Sequence, residues 1–341
     1  MSKKSKANKR NSFILGLAKT ALWPTIKTTS FKKYDIHPQA QKLMSKQKKE
    51  KNCSLVFAGP HRSMWETLLV PYTIAWHDGN LPFVAMGNNL VNKESGKKKK
   101  VFDYITSRMG ALAIERENNP KSAIPVMIKA IEEIISENEN FMIFPEGTRS
   151  RDGLIKEFTP SAFQGIIDAA KNTDVYIIPV NTDYSILYEI NSFAEANSKT
   201  YRFKAKDYRK WRSTFLEDIY ISFGKPVKVN ETDERKELAY NTREDCLDLV
   251  KILPINVVSE AILQLDLREN EYIHPKSLEA SVDNVVADLE EFQSKFRGFN
   301  VNTQSKKIIE KAKQKINPEL MPVYEIYGNY IAEYLNLVNI R

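Results

Sequence analysis

Cysteine is scarce in this 341-residue chain: Cys53 and Cys246, far apart in sequence, are the only two. A disulfide framework and a cysteine-based zinc cluster are therefore excluded, and two ordinary thiols suit a reducing compartment. Long apolar runs are missing as well. No stretch reaches the roughly 18–20 consecutive apolar residues that cross a bilayer. The nearest, FILGLAKTALW at 13–23, is short and interrupted by Lys19. Acidic residues are absent before Asp35, whereas Lys3, Lys4, Lys6, Lys9 and Arg10 precede the apolar run. A secretory signal needs small residues at its cleavage site, and Trp23-Pro24 is a poor one. A transit peptide, a basic tail with an ordinary packed helix, and an interfacial anchor remain. The anchor, with apolar residues among lipid headgroups and lysines on anionic lipid, fits best. No internal repeat is visible.

What is present is a foldable composition: 42% of residues are hydrophobic and 10% aromatic, enough for a sizeable core. The length admits one large domain and a smaller one. A net charge of +8 points to partners of opposite sign: nucleic acid, an anionic membrane surface, or phosphorylated and CoA-like ligands. No recognised nucleic-acid motif occurs, and the basic residues gather in the leader and in the run at 97–100, so no nucleic-acid partner is expected.

Residues 1–50 read as a basic leader with an amphipathic, membrane-associating segment. From Leu55 the pattern changes. Leu55-Val56-Phe57-Ala58, Phe141-Met142-Ile143-Phe144 and Val175-Tyr176-Ile177-Ile178 are short apolar runs closed by Gly59-Pro60, Pro145 and Pro179. Each reads as a buried strand ending in a loop. Helical spacing at 124–136 and 162–171 separates them. Short buried strands alternating with helices give an α/β fold, a central, mostly parallel sheet flanked by helices, over residues 51–230. Residues 231–341 read as a helical C-terminal extension, with amphipathic segments at 239–253, 257–265, 277–296, 306–315 and 324–338. In such sheets functional groups sit just past the carboxyl ends of the strands.

Two stretches occupy those places. His61-Arg62-Ser63-Met64-Trp65-Glu66 follows the first strand. A loop histidine near a carboxylate suits a general base, the carboxylate orienting the ring and supporting the imidazolium. Ser63 and Glu66 also have the spacing of a helix capping box, and both roles can hold together. Phe144-Pro145-Glu146-Gly147-Thr148-Arg149-Ser150-Arg151 follows the second strand. Gly147 permits a tight backbone path, and hydroxyls and arginines can gather phosphate oxygens. A third stretch, Gly110-Ala111-Leu112-Ala113-Ile114-Glu115-Arg116, is on its own an ordinary strand with a terminal arginine.

Taken in order, these stretches and Ile178-Pro179-Val180 resemble the four sequence blocks of the glycerolipid acyltransferase family. The third block, Phe144 to Ser150, matches in full. The first matches except that Glu66 stands where the family has aspartate. The resemblance covers about residues 51–230. Leu68-Leu69, Tyr72, Ala85 to Leu90, Tyr184, Glu189 and Pro254 to Val258 look most like the glycerol-3-phosphate acyltransferase branch, although Ser185 replaces that branch's acidic residue.

The resemblance implies that His61 deprotonates an acceptor hydroxyl, that Glu66 orients it, and that Arg116 and Arg149 hold the acceptor phosphate with Thr148, Ser150 and Arg62. It implies that Glu146 and Gly147 shape the acceptor site and that Trp65 walls an acyl groove. The acceptor is glycerol-3-phosphate or, alternatively, lysophosphatidate. The donor co-substrate is acyl-CoA or acyl-carrier protein, with no metal and no other cofactor. The product suits peripheral attachment at the cytoplasmic face of a membrane. Glu66 also leaves room for a catalytically inactive lipid-binding homologue.

Overall fold

The computed structural model describes residues 34–63, 65–77, 79–87, 111–114, 120–185, 187, 219–265, 273–313 and 326–329. The apolar run at 13–23, the lysine run at 97–100, Arg116, Glu189 and most of 324–338 lie outside them.

The strands are β1 (Tyr34–Ile36), β2 (Cys53–Ala58), β3 (Phe83–Gly87), β4 (Ala111–Ile114), β5 (Phe141–Ile143), β6 (Asp174–Tyr184), β7 (Ile219–Phe223) and β8 (Val227–Val229). They form one sheet in the order β1-β7-β6-β2-β5-β3-β4, with β8 also on β6. The pairs β1–β7, β6–β2, β2–β5, β5–β3 and β3–β4 are parallel, and β7 and β8 run antiparallel to β6. The expected α/β class with a mostly parallel sheet is the one observed.

All six residues of β2 are buried, as a central parallel strand covered on both faces requires. Their alternation assigns the layers. Cys53, Leu55 and Phe57 pack with Ala40 and Met44 of α1 (Pro38–Glu50) and Leu69, Val70 and Ile74 of α2 (Glu66–Trp76). Val56 and Ala58 pack on the other face with Ile131 and Ile135 of α3 (Pro120–Ser136) and Phe163 and Ile166 of α4 (Ser161–Ala170). The C-terminal helices α5 (Arg235–Leu247), α6 (Pro254–Gln264), α7 (Pro275–Asp288) and α8 (Ser305–Lys313) join this second cluster through Cys246, Val257, Val282 and Ile308.

The structure departs from the sequence reading in three places. The strand expected to stop at Pro179 runs on to Tyr184. Proline cannot donate to a ladder, but β6 changes neighbour there: Val175 to Ile177 pair with β8, and Val180 to Tyr184 pair with β7. Residues 34–50, assigned to the leader, supply β1 and α1 to the packed sheet, with Ala40 and Met44 fully buried. The helix expected over 239–253 ends at Leu247. Leu253 precedes Pro254 and is extended, as a residue before proline prefers, and Pro254 then opens α6.

Candidate active site

Because β2 and β5 are adjacent and parallel, with Ala58 beside Ile143, their loops leave the same sheet edge side by side. Gly59 makes the first close approach. A Cβ there would lie 2.2 Å from the Val180 carbonyl oxygen, so only glycine lets the chain turn out of the sheet. The Ser150 N–H donates to the His61 carbonyl at 2.6 Å, tying the two loops together.

His61 and Glu66 meet. The His61 Nδ1 lies 2.9 Å from Glu66 Oε2, and the ring stacks on Phe144 with centroids 4.2 Å apart. Glu66, the first residue of α2, turns its carboxylate back over the loop. It accepts from the Arg62 N–H at 3.1 and 3.0 Å and from the Tyr184 hydroxyl at 3.3 Å. The Glu66 side chain is 2% exposed and the imidazole 18%, so the carboxylate is sealed while the ring reaches solvent. A proton on Nδ1 facing the carboxylate leaves Nε2 as the basic nitrogen. The expected Ser63–Glu66 capping box does not open the helix: α2 begins at Glu66 with Trp65 as its cap residue and no side-chain cap hydrogen bond, and the Ser63 hydroxyl accepts from the Trp65 N–H at 3.2 Å within the loop.

Glu146 lies beside them. Its carboxylate accepts from the His61 N–H at 3.4 Å and the Lys156 N–H at 3.2 Å. Burial pushes its carboxyl up to about 7, against the pull of those two donors and of the Arg62 charge, and the Glu66 charge adds to the push. Gly147 turns the chain with φ 76°, in the left-handed region, and Thr148 is exposed on that turn next to half-buried Arg149.

Two expected substrate contacts point elsewhere. Arg62 is 1% exposed, and its guanidinium donates to Asp183 Oδ1 at 3.0 Å and to the Thr182 carbonyl at 3.3 Å, facing the core instead of an acceptor phosphate. Burial pushes the Asp183 carboxyl up, and Arg62 together with donors from Lys251 and Asn181 holds against it. Ser150 is 2% exposed, and its hydroxyl contacts the Leu154 carbonyl and Asp152, closing its own turn. Trp65, expected at an acyl groove, is buried in the apolar cluster. Arg116 lies outside the described residues. Sequence reasoning gave no role to Asp183 or Phe144. The polar alternation of Asn181 and Asp183 beyond Pro179 was the available signal for Asp183.

Both cysteines are buried, and burial pushes both thiols up, which leaves poor nucleophiles. The described loops therefore offer acid–base chemistry at His61, with the Glu66 and Glu146 carboxylates beside it.

Residues 42–183 match the family model described as Acyltransferase. The chain is 27% identical over 186 residues to the mitochondrial glycerol-3-phosphate acyltransferase 1 of Mus musculus, a match covering 51% of this chain and 22% of that protein. It is 29% identical over 181 residues to the 1-acyl-sn-glycerol-3-phosphate acyltransferase of Helicobacter pylori, covering 53% and 65%. The match thus spans about a fifth of the mouse protein and just under two thirds of the bacterial one. A solved 1-acyl-sn-glycerophosphate acyltransferase from Thermotoga maritima aligns with a TM-score of 0.39 at 14% identity, covering 76% of this chain and 89% of that one.

Proposed function

From the match of residues 42–183 to the acyltransferase family model, we propose that the protein moves a fatty acyl group from a thioester to the hydroxyl of glycerol-3-phosphate. The observation that carries this reading is the His61–Glu66 pair at 2.9 Å, held beside the Glu146 turn at the carboxyl edge of the sheet.

The geometry supports a direct transfer. His61 Nε2 takes the proton of the acceptor hydroxyl as the oxygen attacks the thioester carbonyl carbon. The carbon–sulfur bond then breaks, and the leaving thiolate recovers the proton from His61. Glu66 keeps the ring oriented and stabilises the imidazolium. Arg149, half-buried with Thr148 exposed beside it, is assigned to the acceptor phosphate by the family resemblance, together with Arg116. Acyl-CoA or acyl-carrier protein serves as donor. Lysophosphatidate is the second acceptor reading, favoured by the Helicobacter pylori relative. An inactive lipid binder fits less well, because Glu66 bridges to His61 without losing its backbone anchor at Arg62.

Among the described residues no helix is long and apolar enough to cross a membrane. The basic leader and the amphiphilic product support peripheral attachment at the cytoplasmic membrane face.

The test is thiol release from palmitoyl-CoA, with glycerol-3-phosphate and lysophosphatidate offered separately in the presence of lipid vesicles. Release that requires glycerol-3-phosphate and falls by about 10²–10⁴ in His61→Ala is expected. Release with lysophosphatidate alone selects the second acceptor. No release with either, repeated with acyl-carrier protein as donor, overturns the enzyme.

A further inference from the structure

The β6–β7 end of the sheet carries a second polar face, which meets the His61 loop at the Arg62–Asp183 pair. Along β6 and β7, Val180, Tyr184, Ile219, Ile221 and Phe223 are buried in the cluster with α1 and α2. Strand alternation turns Asn181, Asp183, Tyr220 and Ser222 to the opposite side. Register sets Asp183 against Tyr220 and Asn181 against Ser222, and places Asp35 of β1 beside Ser222. Two segments joined by the bridge of Ile252 to Phe296 meet this face, and they carry Lys251 and Arg297. A cavity of about 220 Å³ lies there, lined by Asp35, Tyr220, Ser222, Lys251 and Arg297 among others.

The lining is unbalanced in charge. Lys251 Nζ is 3.0 Å and Arg297 3.9 Å from the same oxygen, Asp35 Oδ2. One carboxylate, 64% exposed to solvent, therefore faces two cations. Burial pushes the neighbouring Lys295 ammonium below its ordinary value, and the charges of Lys251 and Arg297 add to that push, against Asp248 and Asp183. The Ser222 hydroxyl, in a residue 1% exposed, has no hydrogen-bond partner within the protein, an arrangement that folded chains rarely leave unanswered. The volume, about 220 Å³, is below the roughly 300–1,000 Å³ of sites for drug-sized ligands, and suits a phosphate-sized group.

We propose that this cavity is an anion site for a small phosphate-bearing ligand, inorganic phosphate or a small monoester, held by Arg297 and Lys251 with Ser222 donating. Arginine's planar fork and an ammonium on one oxyanion are a recurrent phosphate-binding pair. The site is tied to the catalytic loop through the backbone: the Lys251 N–H donates to Asp183 at 2.9 Å, and Asp183 holds Arg62, whose N–H anchors Glu66.

Calorimetric titration of the full chain with inorganic phosphate, at ionic strength held constant with chloride, tests this. Binding is expected in the wild type and in Arg149→Ala, and is expected to weaken about tenfold or more in Arg297→Gln. Arg297 also donates to the Ser294 and Phe296 carbonyls, so Ser222→Ala serves as a second variant, with about threefold weakening expected. Binding that vanishes in Arg149→Ala yet survives Arg297→Gln and Ser222→Ala would assign the anion to the catalytic turn and overturn the proposal. So would absence of binding in the wild type. Phosphatidate vesicles form the last arm, and binding to them without binding to free phosphate overturns the small-ligand assignment.

Discussion

Glu66 reaches three partners because it has one methylene more than the aspartate usual at its place. From the first position of α2 its carboxylate spans to the imidazole of His61, the N–H of Arg62 and the hydroxyl of Tyr184. Shortening it withdraws the carboxylate by roughly 1 Å, a displacement that costs up to about a hundredfold in a positioned base. Glu66→Asp is accordingly expected to lower kcat by about 10–100-fold with KM for glycerol-3-phosphate nearly unchanged. A kcat equal to or above that of the wild type would show that glutamate is a handicap at this position and not an accommodated variant. Glu146 makes a prediction about pH. Its folded carboxyl titrates at about 7 against an ordinary 4.5, so the native state holds the proton more tightly than the unfolded chain. Stability from this group is therefore complete below about pH 4.5 and is lost as pH rises through 7. At 1.36 kcal/mol per unit the loss is at most about 3 kcal/mol, less what solvent contact screens. Glu146→Gln removes this titration, so its urea midpoint should exceed the wild type's at pH 8 and nearly match it at pH 5. An equal gain at both pH values would mean that the carboxylate's charge is not what costs stability.

At the scale of elements, the site depends on how β2 leaves the sheet. Gly59 hydrogen-bonds the Ile143 carbonyl at 3.3 Å while the Val180 carbonyl closes the space a Cβ would need. Gly59→Ala must push β6 aside, at a cost of about 3 kcal/mol, and must shift the His61 loop with it. Gly147→Ala meets nothing within 4 Å and carries only the strain of φ 76°, about 1–2 kcal/mol. Urea unfolding of the two variants should rank them in that order, and a Gly59→Ala midpoint at or above that of Gly147→Ala would contradict the close approach. The same elements show what a sequence can disclose. β2 and β5 were legible because a buried strand is an unbroken apolar run, and His61 and Glu146 were legible because each follows such a run directly. The continuation of β6 through Pro179 was hidden, since a proline stops a strand unless its neighbours change there, and neighbours are tertiary facts. Arg62 was expected at the acceptor phosphate for the same reason: its partner Asp183 lies 121 residues away, and nothing local announces it. β1 is three residues long with Tyr34 and Asp35 exposed, so no apolar run marked it.

At the scale of the whole molecule, the family match ends at residue 183, but the core does not. Cys246, Val250, Ile252, Val257 and Val258 belong to one buried cluster with Val56, Ala58, Phe141, Ile143 and Ile177 of the sheet. The Lys251 N–H completes Asp183, and the Asn256 side chain donates to the Tyr327 carbonyl at 2.9 Å while the Tyr327 hydroxyl accepts from Leu187. The boundary read at 230 therefore falls inside a packed unit, and the helices after it form one wall of the core that covers the sheet. Each large apolar side chain left facing water costs about 1.5–3 kcal/mol, so baring this face removes more than the roughly 5–15 kcal/mol that holds a typical domain folded. A chain ended after residue 230 is expected to lose cooperative urea unfolding and thiol release together, keeping far-ultraviolet helix signal and binding an apolar dye as a loosely packed state does. If that shortened chain instead unfolded in one sharp transition near the full-length midpoint, residues 231–341 would be a separable cap, and the burial of Val257 and Val258 in the shared cluster would contribute little to holding the His61 and Glu146 loops in place.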